Sequence, residues 1–397
     1  MSLFLLLQKK YLNNLKNKIM KKKIAIIGAG IAGLTLGNFL QKNSNYEFTI
    51  YEKREALNLD EGFGIQLAVN SISILNQIGF SELNKSDFFN PKAIDFYSNQ
   101  NKICDLDLTQ FNTELAKYTT LKRSSLIKFL KDKLFSNVFM FNKIIKTVEY
   151  INSKIRISFA DGHIDEIDYL VVSDGVFSIT KTVIENKKFK INFHKTFATR
   201  ITINKDKLKI LNKENISLFM CERAHLVFYP VNNDQFNFVT TVRSRNINSD
   251  DTKKALLAKI LKQNNLNILS EKDLSFWPIY TSTKPTISKY NNIFYLGDAF
   301  CTLLPTMAQG ASQSIEGAKE LFIIFEKNNK DKQDLFFSNR LERIEMIRKR
   351  SSFNFFVFHL SNFFLIRIRN FFLRKLIYNK KFINIFLERV FSKQFLS

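Results

Sequence analysis

The stretch KIAIIGAGIAGLTLGNFL, residues 23–40, decides the fold because it joins a strand, a tight turn and a helix without a break. The β-branched apolar run before Gly28 predicts a buried strand, and the apolar spacing after Gly30 predicts a helix. Together with Gly33, these glycines form a GxGxxG pattern, which suits a strand that turns directly into a helix. The stretch therefore predicts the start of a βαβ unit.

Each glycine of this turn has a distinct physical role. Gly28 allows the tight turn, Gly30 lets a diphosphate approach the backbone, and Gly33 lets the helix pack closely on the strand. Glu52 ends the next predicted strand, where a carboxylate accepts hydrogen bonds from ribose hydroxyls. The pattern predicts a bound dinucleotide without choosing between NAD and FAD. The alternatives are a tight turn without a ligand and a solvated acid at Glu52.

A second informative stretch is GDAFCTLLPTMAQGASQSIEGA, residues 297–318, which follows an apolar run predicted to be a strand. It places Asp298 at the strand end and a loop, residues 308–312, before a predicted helix. None of the twelve glycines builds a second GxGxxG pattern. Asp298 and the loop therefore serve the same dinucleotide or something beside it, although a strand-end acid can also cap the following turn.

The charge of the chain is concentrated at its two ends. The 397 residues are enough for two domains and carry a formal net charge of +24. Residues 1–23 hold seven lysines and no acidic residue, and residues 340–397 hold thirteen Lys and Arg against three acidic residues. Such ends suit solvated tails or an acidic membrane surface. No helix-turn-helix, zinc-finger or aromatic RNP pattern accompanies them, so we expect no nucleic-acid partner.

Cysteine usage and hydropathy exclude several classes of protein. Cys104, Cys221 and Cys301 lie far apart without a CxxC pair, and the four histidines are scattered. This predicts neither disulfides nor a metal site and favours a reducing cytoplasm. The opening MSLFLLLQKK is a poor signal peptide, and no run of ~18 apolar residues predicts a membrane-spanning helix. We expect folding to begin near Met20.

Three motifs in a fixed order carry a resemblance to a known family. They are the glycine turn with Glu52, DYLVVSDGVFSITK at residues 168–181, and NIFYLGDAF with the loop and helix that follow it. From about residue 22 to about residue 350, the sequence resembles the FAD-dependent monooxygenases related to p-hydroxybenzoate hydroxylase and salicylate hydroxylase. The resemblance implies a bound FAD and a transient NADH or NADPH.

The resemblance implies an α/β fold with a discontinuous Rossmann-like FAD-binding domain, an inserted β-sheet substrate domain and C-terminal helices. The alternating apolar pattern between residues 190 and 280 agrees with a sheet domain. The predicted boundaries are 20–90, 106–185 and 285–340 for the FAD-binding domain, 91–105 and 186–284 for the substrate domain, and 341–397 for a basic helical region.

The third motif receives its roles from the resemblance. Asp298 would hydrogen-bond the ribityl chain of FAD, and a set of backbone N–H groups would face the flavin ring, from Gly310, Ala311 and Ser312. A helix N-terminus in that place stabilises the negative charge of a reduced flavin.

Two further cofactor residues follow from the resemblance. Arg123 matches an arginine that lies beside FAD in the family. Asp174 and Gly175 match a turn that touches both the diphosphate region and the nicotinamide path. The alternatives are a solvated charge in the first turn of a helix and a plain turn at a strand end.

Four residues depart from the family pattern. Lys181 stands in place of Arg, Cys301 in place of His, Ala308 in place of Gly, and Gly317 in place of Asp. Lys181 keeps the charge but loses the bidentate fork of Arg, a change that would alter nicotinamide preference or rate. None of the four removes a backbone contact to the flavin, so we interpret the chain as a divergent active member.

The implied reaction is hydroxylation of an aromatic, quinone-like or other electron-rich small molecule by NAD(P)H and O2, through a flavin C4a-hydroperoxide. The alternatives are an FAD-dependent oxidoreductase without oxygen insertion and a catalytically inactive flavin-binding protein. A phenolic substrate would gain from a base. The candidates are His225 and Tyr229, with Arg200 as a candidate to bind a carboxylate or phenolate, and each is otherwise a packed or solvated strand residue.

The C-terminal region contains FFLIRIRNFFLRKLIYNKKFINIF, residues 363–386, which pairs an apolar face with Arg and Lys. This pattern is typical of a helix that lies in a membrane interface. The alternative is a packed helix with a solvated basic side. Membrane contact would place the protein at the inner face of the membrane and would favour lipophilic substrates such as quinone precursors or isoprenoids.

Overall fold

The computed structural model describes residues 21–391, apart from 58, 60–62, 152, 209–210, 244–248, 267–273 and 328–330. Residues 1–20, which include the expected start of folding at Met20, lie outside the described residues. In chain order the described strands β1 to β18 are Lys22–Ile27, Tyr46–Tyr51, Gly64–Leu67, Phe88–Phe89, Ala93–Ser98, Asn101–Asp107, Thr119–Lys122, Phe139–Met140, Ile145–Ile151, Lys154–Phe159, Ile164–Ile167, Tyr169–Val172, Ile191–Asn204, Ile216–Cys221, Ala224–Pro230, Gln235–Arg243, Trp277–Ser282 and Ile293–Tyr295. The described α-helices α1 to α8 are Ile31–Leu40, Val69–Asn76, Arg123–Asp132, Ile179–Glu185, Asp250–Gln263, Gly310–Glu326, Lys332–Phe358 and Phe363–Leu376, and a terminal helical segment follows them at Lys380–Phe382, Ile383–Glu388 and Arg389–Phe391.

A five-stranded parallel sheet has the order β18-β12-β1-β2-β8. Its central strand β1 is apolar on both faces, as expected for a parallel strand that is covered on both sides. Ile24 and Ile26 join a core with α1 and α6, while Ala25 and Ile27 join a core with β9, β10 and β11. The sheet thus lies between helices and a small antiparallel sheet. The predicted α/β fold class is confirmed.

A seven-stranded sheet has the order β17-β13-β16-β15-β14-β5-β6. Its neighbouring strands are antiparallel except for β5 and β14. Along β15, Leu226 and Phe228 pack against α5, whereas Val227 and Tyr229 point to the opposite face and join the core that contains α1 and α6. The hairpin of β5 and β6 thus completes a sheet whose other strands, β13 to β17, come from a later part of the chain. The predicted domain boundaries stay a prediction.

A buried cluster of charges around Glu316 of α6 ties the C-terminal helices to the rest of the molecule. The Glu316 carboxylate accepts hydrogen bonds from Nε and Nη2 of Arg343, each at 2.8 Å, and from Nδ2 of Asn70 at 2.5 Å. Arg343 also donates to the carbonyl oxygens of Arg389 and Val390. The cluster joins α2, α6, α7 and the terminal helical segment.

Among the described residues, none of the helices combines the length and the apolar composition that a membrane-spanning helix requires.

Replacing Glu316 by Gln leaves Arg343 buried beside a neutral amide. We expect the free energy of unfolding to fall by about 3 kcal/mol, since breaking one member of a buried ion pair typically costs about 3–5 kcal/mol. Urea unfolding followed by circular dichroism measures the change. Glu82→Gln is the control, because Glu82 binds Lys133 at the surface at 2.6 Å and exposed pairs contribute little. Equal losses in both variants would contradict the central role of this cluster.

Candidate functional site

Three turns lie side by side at one edge of the parallel sheet. The strands β1, β12 and β18 are neighbours, and their register pairs Ile27 with Val172 and Val172 with Tyr295. The turns that follow these strands therefore leave the sheet at the same level. Ligands of open α/β sheets bind at this carboxyl edge.

The glycine turn leaves no room for side chains at two of its positions. Gly28 has a φ of +102°, and a Cβ there would lie 2.7 Å from the carbonyl oxygen of Ser173. A Cβ on Gly33 would lie 2.2 Å from the carbonyl oxygen of Gly28. A Cβ on Gly30, in contrast, would meet nothing within 4 Å, and no side chain caps α1. The uncapped N-terminus of α1 therefore faces open space.

Polar side chains from the neighbouring strands hold this turn in place. The Glu52 carboxylate accepts hydrogen bonds from the backbone N–H groups of Ala29 at 2.9 Å and Arg54 at 3.1 Å. The Ser173 hydroxyl donates to the carbonyl oxygen of Gly28 at 3.0 Å. Sequence analysis missed Ser173, for which the only signal was its place directly before the Asp-Gly pair.

Asp174 offers an unused hydrogen-bond acceptor. Its Oδ1 atom is buried and has no partner within the described chain, while its Oδ2 atom accepts a long hydrogen bond of 3.4 Å from the N–H of Thr180. Gly175 follows with a φ of +90°, and a Cβ there would meet nothing within 4 Å. Because an unpaired buried carboxylate oxygen is costly, this arrangement indicates a place for a donor from outside the chain.

These turns enclose a cavity of about 270 Å³. Its walls include Gly28, Gly30, Glu52, Arg123 and Asp174. The helix α3 begins at Arg123, whose backbone N–H donates to the carbonyl oxygen of Phe63 at 2.8 Å. This bond fixes the start of α3 at the cavity wall.

The turn after β18 meets the glycine turn directly. A Cβ on Gly297 would lie 3.1 Å from the Cβ of Ala32 in α1 and 3.1 Å from the Oγ of Ser314 in α6. Asp298 follows in an open cleft, where water reaches its side chain although protein surrounds it. The surrounding protein displaces solvent and raises the pKa of Asp298 to about 6, while the nearby Arg123 guanidinium acts in the opposite direction.

The N-terminus of α6 is open as well. A Cβ on Gly310 would meet nothing within 4 Å, and no side chain caps the helix. Ala311 is half-buried, and Ser312 is fully buried with its Oγ 3.5 Å from the nitrogen of Ala68. A first helical turn cannot satisfy its own N–H groups. Thus α1 and α6, which both contact Gly297, present two uncapped N-termini.

Two departures from the family pattern have become part of the interior. Lys181 is buried, its ammonium group donates to the carbonyl oxygen of Ala299 at 3.0 Å, and burial lowers its pKa. Cys301 is buried in the core between the parallel sheet and the strands β9, β10 and β11, and burial raises the pKa of its thiol to about 11. Neither lines the 270 Å³ cavity. Both side chains therefore support the turn that carries Asp298.

The other two departures have steric consequences. Ala308 has a φ of +53°, a left-handed conformation that costs about 1 kcal/mol for a residue other than glycine. This backbone explains why the family pattern has glycine there. A Cβ on Gly317 would lie 3.0 Å from the Cδ1 of Leu296, so a larger residue there would require the Leu296 side chain to shift slightly.

A second cavity of about 440 Å³ lies between the loop 305–308, the seven-stranded sheet and the C-terminal helices. Its volume suits a small organic molecule. Apart from His225, the wall contributed by the sheet is apolar and consists of Ile94, Phe96, Leu106, Ile216, Leu218 and Val227. The polar lining residues are few, namely Gln66, Tyr118, His225, Thr306, Asn354 and Arg369.

The three candidate residues His225, Tyr229 and Arg200 lie on the same face of the seven-stranded sheet, which we call its inner face because it packs on the core with α1 and α6. They do not all line the cavity. Val227 pairs with Val239, and Val239 pairs with Arg200, so these side chains point the same way. By alternation along β15, His225 and Tyr229 point there too. Of the three candidates, only His225 lines the 440 Å³ cavity. Burial raises the pKa of Tyr229, and the nearby Arg200 acts to lower it.

His225 is hydrogen-bonded to a second buried histidine that sequence analysis missed. Its Nδ1 atom lies 2.7 Å from the Nε2 atom of His359, which is the first residue after α7. Burial lowers the pKa of His225 to about 4 and also lowers the pKa of His359. Both rings are therefore neutral at pH 7. No sequence pattern links these two residues, which lie 134 positions apart.

A family model described as an FAD binding domain matches residues 21–334. The chain belongs to this family. It is 26% identical to the 6-hydroxynicotinate 3-monooxygenase of Bordetella bronchiseptica, over 84% of this chain and 91% of that protein. It is 22% identical to the 3-amino-4-hydroxybenzoate 2-monooxygenase of Streptomyces cremeus, over 75% of this chain and 77% of that protein.

Solved structures agree on the fold. HpxO of Klebsiella pneumoniae, complexed with FAD and uric acid, matches with a TM-score of 0.81 at 18% identity, over 94% of this chain and 97% of that chain. A salicylate hydroxylase substrate complex matches with a TM-score of 0.76 at 16% identity, over 94% and 98% of the two chains. Together with the family match, the two monooxygenase relatives identify the chain as an FAD-dependent monooxygenase by class. The two uncapped helix N-termini and the unpaired Asp174 oxygen fit a large anionic, donor-bearing cofactor.

The raised pKa of Asp298 predicts how pH affects the stability of the flavin-free protein. The folded-state pKa of about 6 lies above the ordinary 3.8, so the folded state binds the proton more tightly and this group contributes less stability as pH rises from 4 to 6. At pH 7.5, flavin-free Asp298→Asn should therefore unfold at a higher urea concentration than the wild type. The difference should shrink towards pH 4.

Urea titrations of the flavin-free proteins at pH 4, 6 and 7.5 measure this effect. Asp206→Asn is the control, because Asp206 lies in an exposed surface turn. A difference between Asp298→Asn and the wild type that is the same at all three pH values would contradict the raised pKa.

Proposed function

We propose that the chain binds FAD along the carboxyl edge of the parallel sheet and hydroxylates a phenol-like aromatic ring in the 440 Å³ cavity. The FAD diphosphate would lie on the N-terminus of α1 at Gly30, in the turn that Gly28 and Gly33 shape. Glu52 would accept hydrogen bonds from the ribose. The open space before Gly30 and the position of Glu52 beside the turn support this arrangement.

The other half of FAD is assigned to the turn after β18. Asp298 would hydrogen-bond the ribityl chain, and the N–H groups of Gly310, Ala311 and Ser312 would face the ring. The contact of Gly297 with both α1 and α6 supports a single ligand that spans both motifs. The positive end of the α6 dipole would stabilise the negative charge of reduced flavin.

Arg123 and Asp174 would complete the cofactor site between these two halves. Both line the 270 Å³ cavity, and the charge of Arg123 reaches Asp298. The buried Oδ1 atom of Asp174 would accept a hydrogen bond from the cofactor or from the nicotinamide that approaches it. Gly175 leaves the space in front of this carboxylate open.

The overall reaction converts one ring C–H, O2, NAD(P)H and a proton into a ring C–OH, NAD(P)⁺ and water. When bound and reduced by NADH or NADPH, FAD supplies the activation of O2. The chain supplies binding, orientation and exclusion of water. The mainly apolar lining of the 440 Å³ cavity supports the last of these contributions.

His225 is suited to hold the substrate oxygen rather than to deprotonate a phenol. Its pKa of about 4 lies about 6 units below that of a phenol, so complete proton transfer to it would cost roughly 8 kcal/mol. The Nδ1 atom of His359 is buried without a partner in the described chain. This favours the tautomer in which His359 donates to Nδ1 of His225, because an orphaned buried N–H is rarer than a bare acceptor. The Nε2–H of His225 then donates to the substrate oxygen.

Arg200 and Tyr229 would act beyond the end of the cavity. They share the inner face of the sheet with His225 but do not line the cavity. The exposed Arg200 would attract a phenolate or a carboxylate group of the substrate, and the neutral Tyr229 hydroxyl would serve as a donor. These roles extend the polar side of a mainly apolar substrate site.

We also propose that the protein contacts the inner face of a membrane through α8. The outward side of this helix carries exposed apolar and basic side chains together. Together with Tyr378, which follows the helix, it forms what we call the aromatic–basic surface, which consists of Phe363, Phe364, Arg367, Phe371, Arg374, Lys375 and Tyr378. This combination fits an interfacial helix over anionic lipids.

A direct test of the proposed function uses the flavin-loaded protein with a panel of phenolic and quinone-like compounds. We expect one of them to stimulate both NAD(P)H oxidation and O2 consumption, with a product that is one oxygen atom heavier by mass spectrometry. Reduction without oxygen insertion would support an oxidoreductase instead. Bound flavin that neither nicotinamide reduces would support an inactive flavin-binding protein.

Gly30→Ala and Gly33→Ala separate cofactor binding from folding. A methyl group on Gly30 enters only open space, so the flavin-free protein should keep its stability while its affinity for FAD falls about tenfold or more. A methyl group on Gly33 collides with backbone, so the flavin-free protein should itself be destabilised. Thermal unfolding and visible flavin absorbance measure the two effects. Normal flavin content in Gly30→Ala would overturn the diphosphate assignment.

His225→Leu should lower kcat/KM for a phenolic substrate about tenfold, because one hydrogen bond to the substrate oxygen is lost. Its flavin content should not change, and it should lose the preference for a phenol over the same compound without the hydroxyl group. His194→Leu is the control, since His194 hydrogen-bonds Thr196 at 3.0 Å and does not line the cavity. An unchanged preference in His225→Leu would mean that the pair with His359 is only structural.

A further inference from the structure

The opening of the 440 Å³ cavity lies beside the aromatic–basic surface. The same cavity is lined by His225 and by the loop 305–308, which leads into the N-terminus of α6 that is proposed to face the flavin, and we call this part its proposed catalytic end. Its exposed lining residues come from α7 and α8 and are Phe353, Phe356, Leu365, Ile368 and Phe372. The cavity therefore connects the proposed catalytic end with an outlet framed by exposed apolar side chains.

The helix α8 is firmly attached to the seven-stranded sheet by Arg369. The guanidinium group of Arg369 is buried and donates from Nη2 to the hydroxyl of Ser98 in β5 at 2.8 Å. It also donates from Nη1 to the carbonyl oxygen of Val357 in α7 at 3.3 Å. With this side fixed, Leu365, Ile368 and Phe372 face the cavity mouth, while Phe364 and Phe371 remain exposed. The outlet is thus part of a defined surface.

The charge around the outlet has one sign. Residues 346–387 contain no acidic residue. The exposed basic side chains in this range include Arg367, Arg374, Lys375, Lys380 and Lys381. Such a surface attracts polyanions and repels a second copy of itself. Exposed phenylalanines between the positive charges favour an anionic lipid surface, into which aromatic rings insert while Arg and Lys reach the headgroups.

We propose that the protein takes its substrate directly from an anionic membrane, and that this substrate is an amphiphile with an electron-rich aromatic head and a hydrocarbon tail. This inference rests on the proposed function. The head would reach His225 and the loop 305–308, where polar lining atoms are available. The tail would leave through the outlet between Phe356 and Phe372 and remain among the lipid chains. The aromatic–basic surface would then determine both where the protein binds the membrane and which substrates reach the cavity.

Vesicle binding tests the surface. Sedimentation of the flavin-loaded protein with vesicles of phosphatidylcholine, alone or with one-third phosphatidylglycerol, should show binding mainly to the anionic vesicles, and salt should weaken it. The triple variant Phe363→Ser, Phe364→Ser, Phe371→Ser removes rings that do not line the cavity. We expect it to bind at least about tenfold more weakly. The control is Leu115→Ser, Phe135→Ser, Ile164→Ser, which removes three equally exposed apolar side chains elsewhere.

Activity with two probes tests the substrate class. One probe is 4-ethylphenol in solution, and the other is 4-pentadecylphenol carried in the same vesicles. Both wild type and triple variant should hydroxylate 4-ethylphenol at rates within about twofold. The wild type should hydroxylate 4-pentadecylphenol at least about tenfold faster in anionic than in neutral vesicles, and the triple variant should lose this advantage.

The outcomes separate the two proposals. Turnover of 4-ethylphenol, with 4-pentadecylphenol turned over equally in both vesicle types, would overturn the membrane inference alone. Failure with both probes and with the panel of soluble phenols would overturn the proposed function, and this inference with it. Wild-type dimers that the triple variant abolishes, without any vesicle binding, would assign the surface to a second copy of the chain and would overturn the membrane inference.

Discussion

One steric constraint underlies the whole site: three strand ends approach each other more closely than side chains allow. A Cβ on Gly33 would lie 2.2 Å from a carbonyl oxygen of Gly28, and a Cβ on Gly28 would lie 2.7 Å from that of Ser173. Gly297 is confined less tightly, since a Cβ there would lie 3.1 Å from the Cβ of Ala32. Because these positions are bare backbone, the helix that follows the first turn can present its N–H groups to an anion instead of covering them.

The helix α6 links the proposed cofactor site to the proposed substrate cavity. Its N-terminus at Gly310 is open and uncapped, and its middle carries Glu316, which is locked to Arg343 and through it to the end of the described chain. The terminal helical segment and α8 form much of the wall of the 440 Å³ cavity. The helix whose N-terminus is open at Gly310 therefore also holds the outer wall of this cavity through a buried ion pair, and loss of either partner would leave an uncompensated buried charge.

Two of the departures from the family pattern, Lys181 and Cys301, are side chains that burial has given a packing role. Lys181 and Cys301 replace polar family residues, yet both are absorbed into packing around the turn of Asp298. The left-handed backbone of Ala308 costs about 1 kcal/mol, and the loop nevertheless adopts it. These changes leave the open backbone positions at Gly30 and Gly310 untouched, which is why divergence in side chains is compatible with the same cofactor.

The sequence by itself determined the α/β fold class, a bound dinucleotide and the order of the motifs, whose family resemblance in turn implied FAD. These features depend on short-range spacing, such as the strand, glycine turn and helix around Gly28, and on motif residues adjacent in the chain. Only the tertiary structure decided that His225 meets His359, that Ser173 donates to Gly28, and that the C-terminal helices close the apolar cavity. Such contacts join residues more than a hundred positions apart, and side-chain packing rather than any local pattern fixes which of them meet.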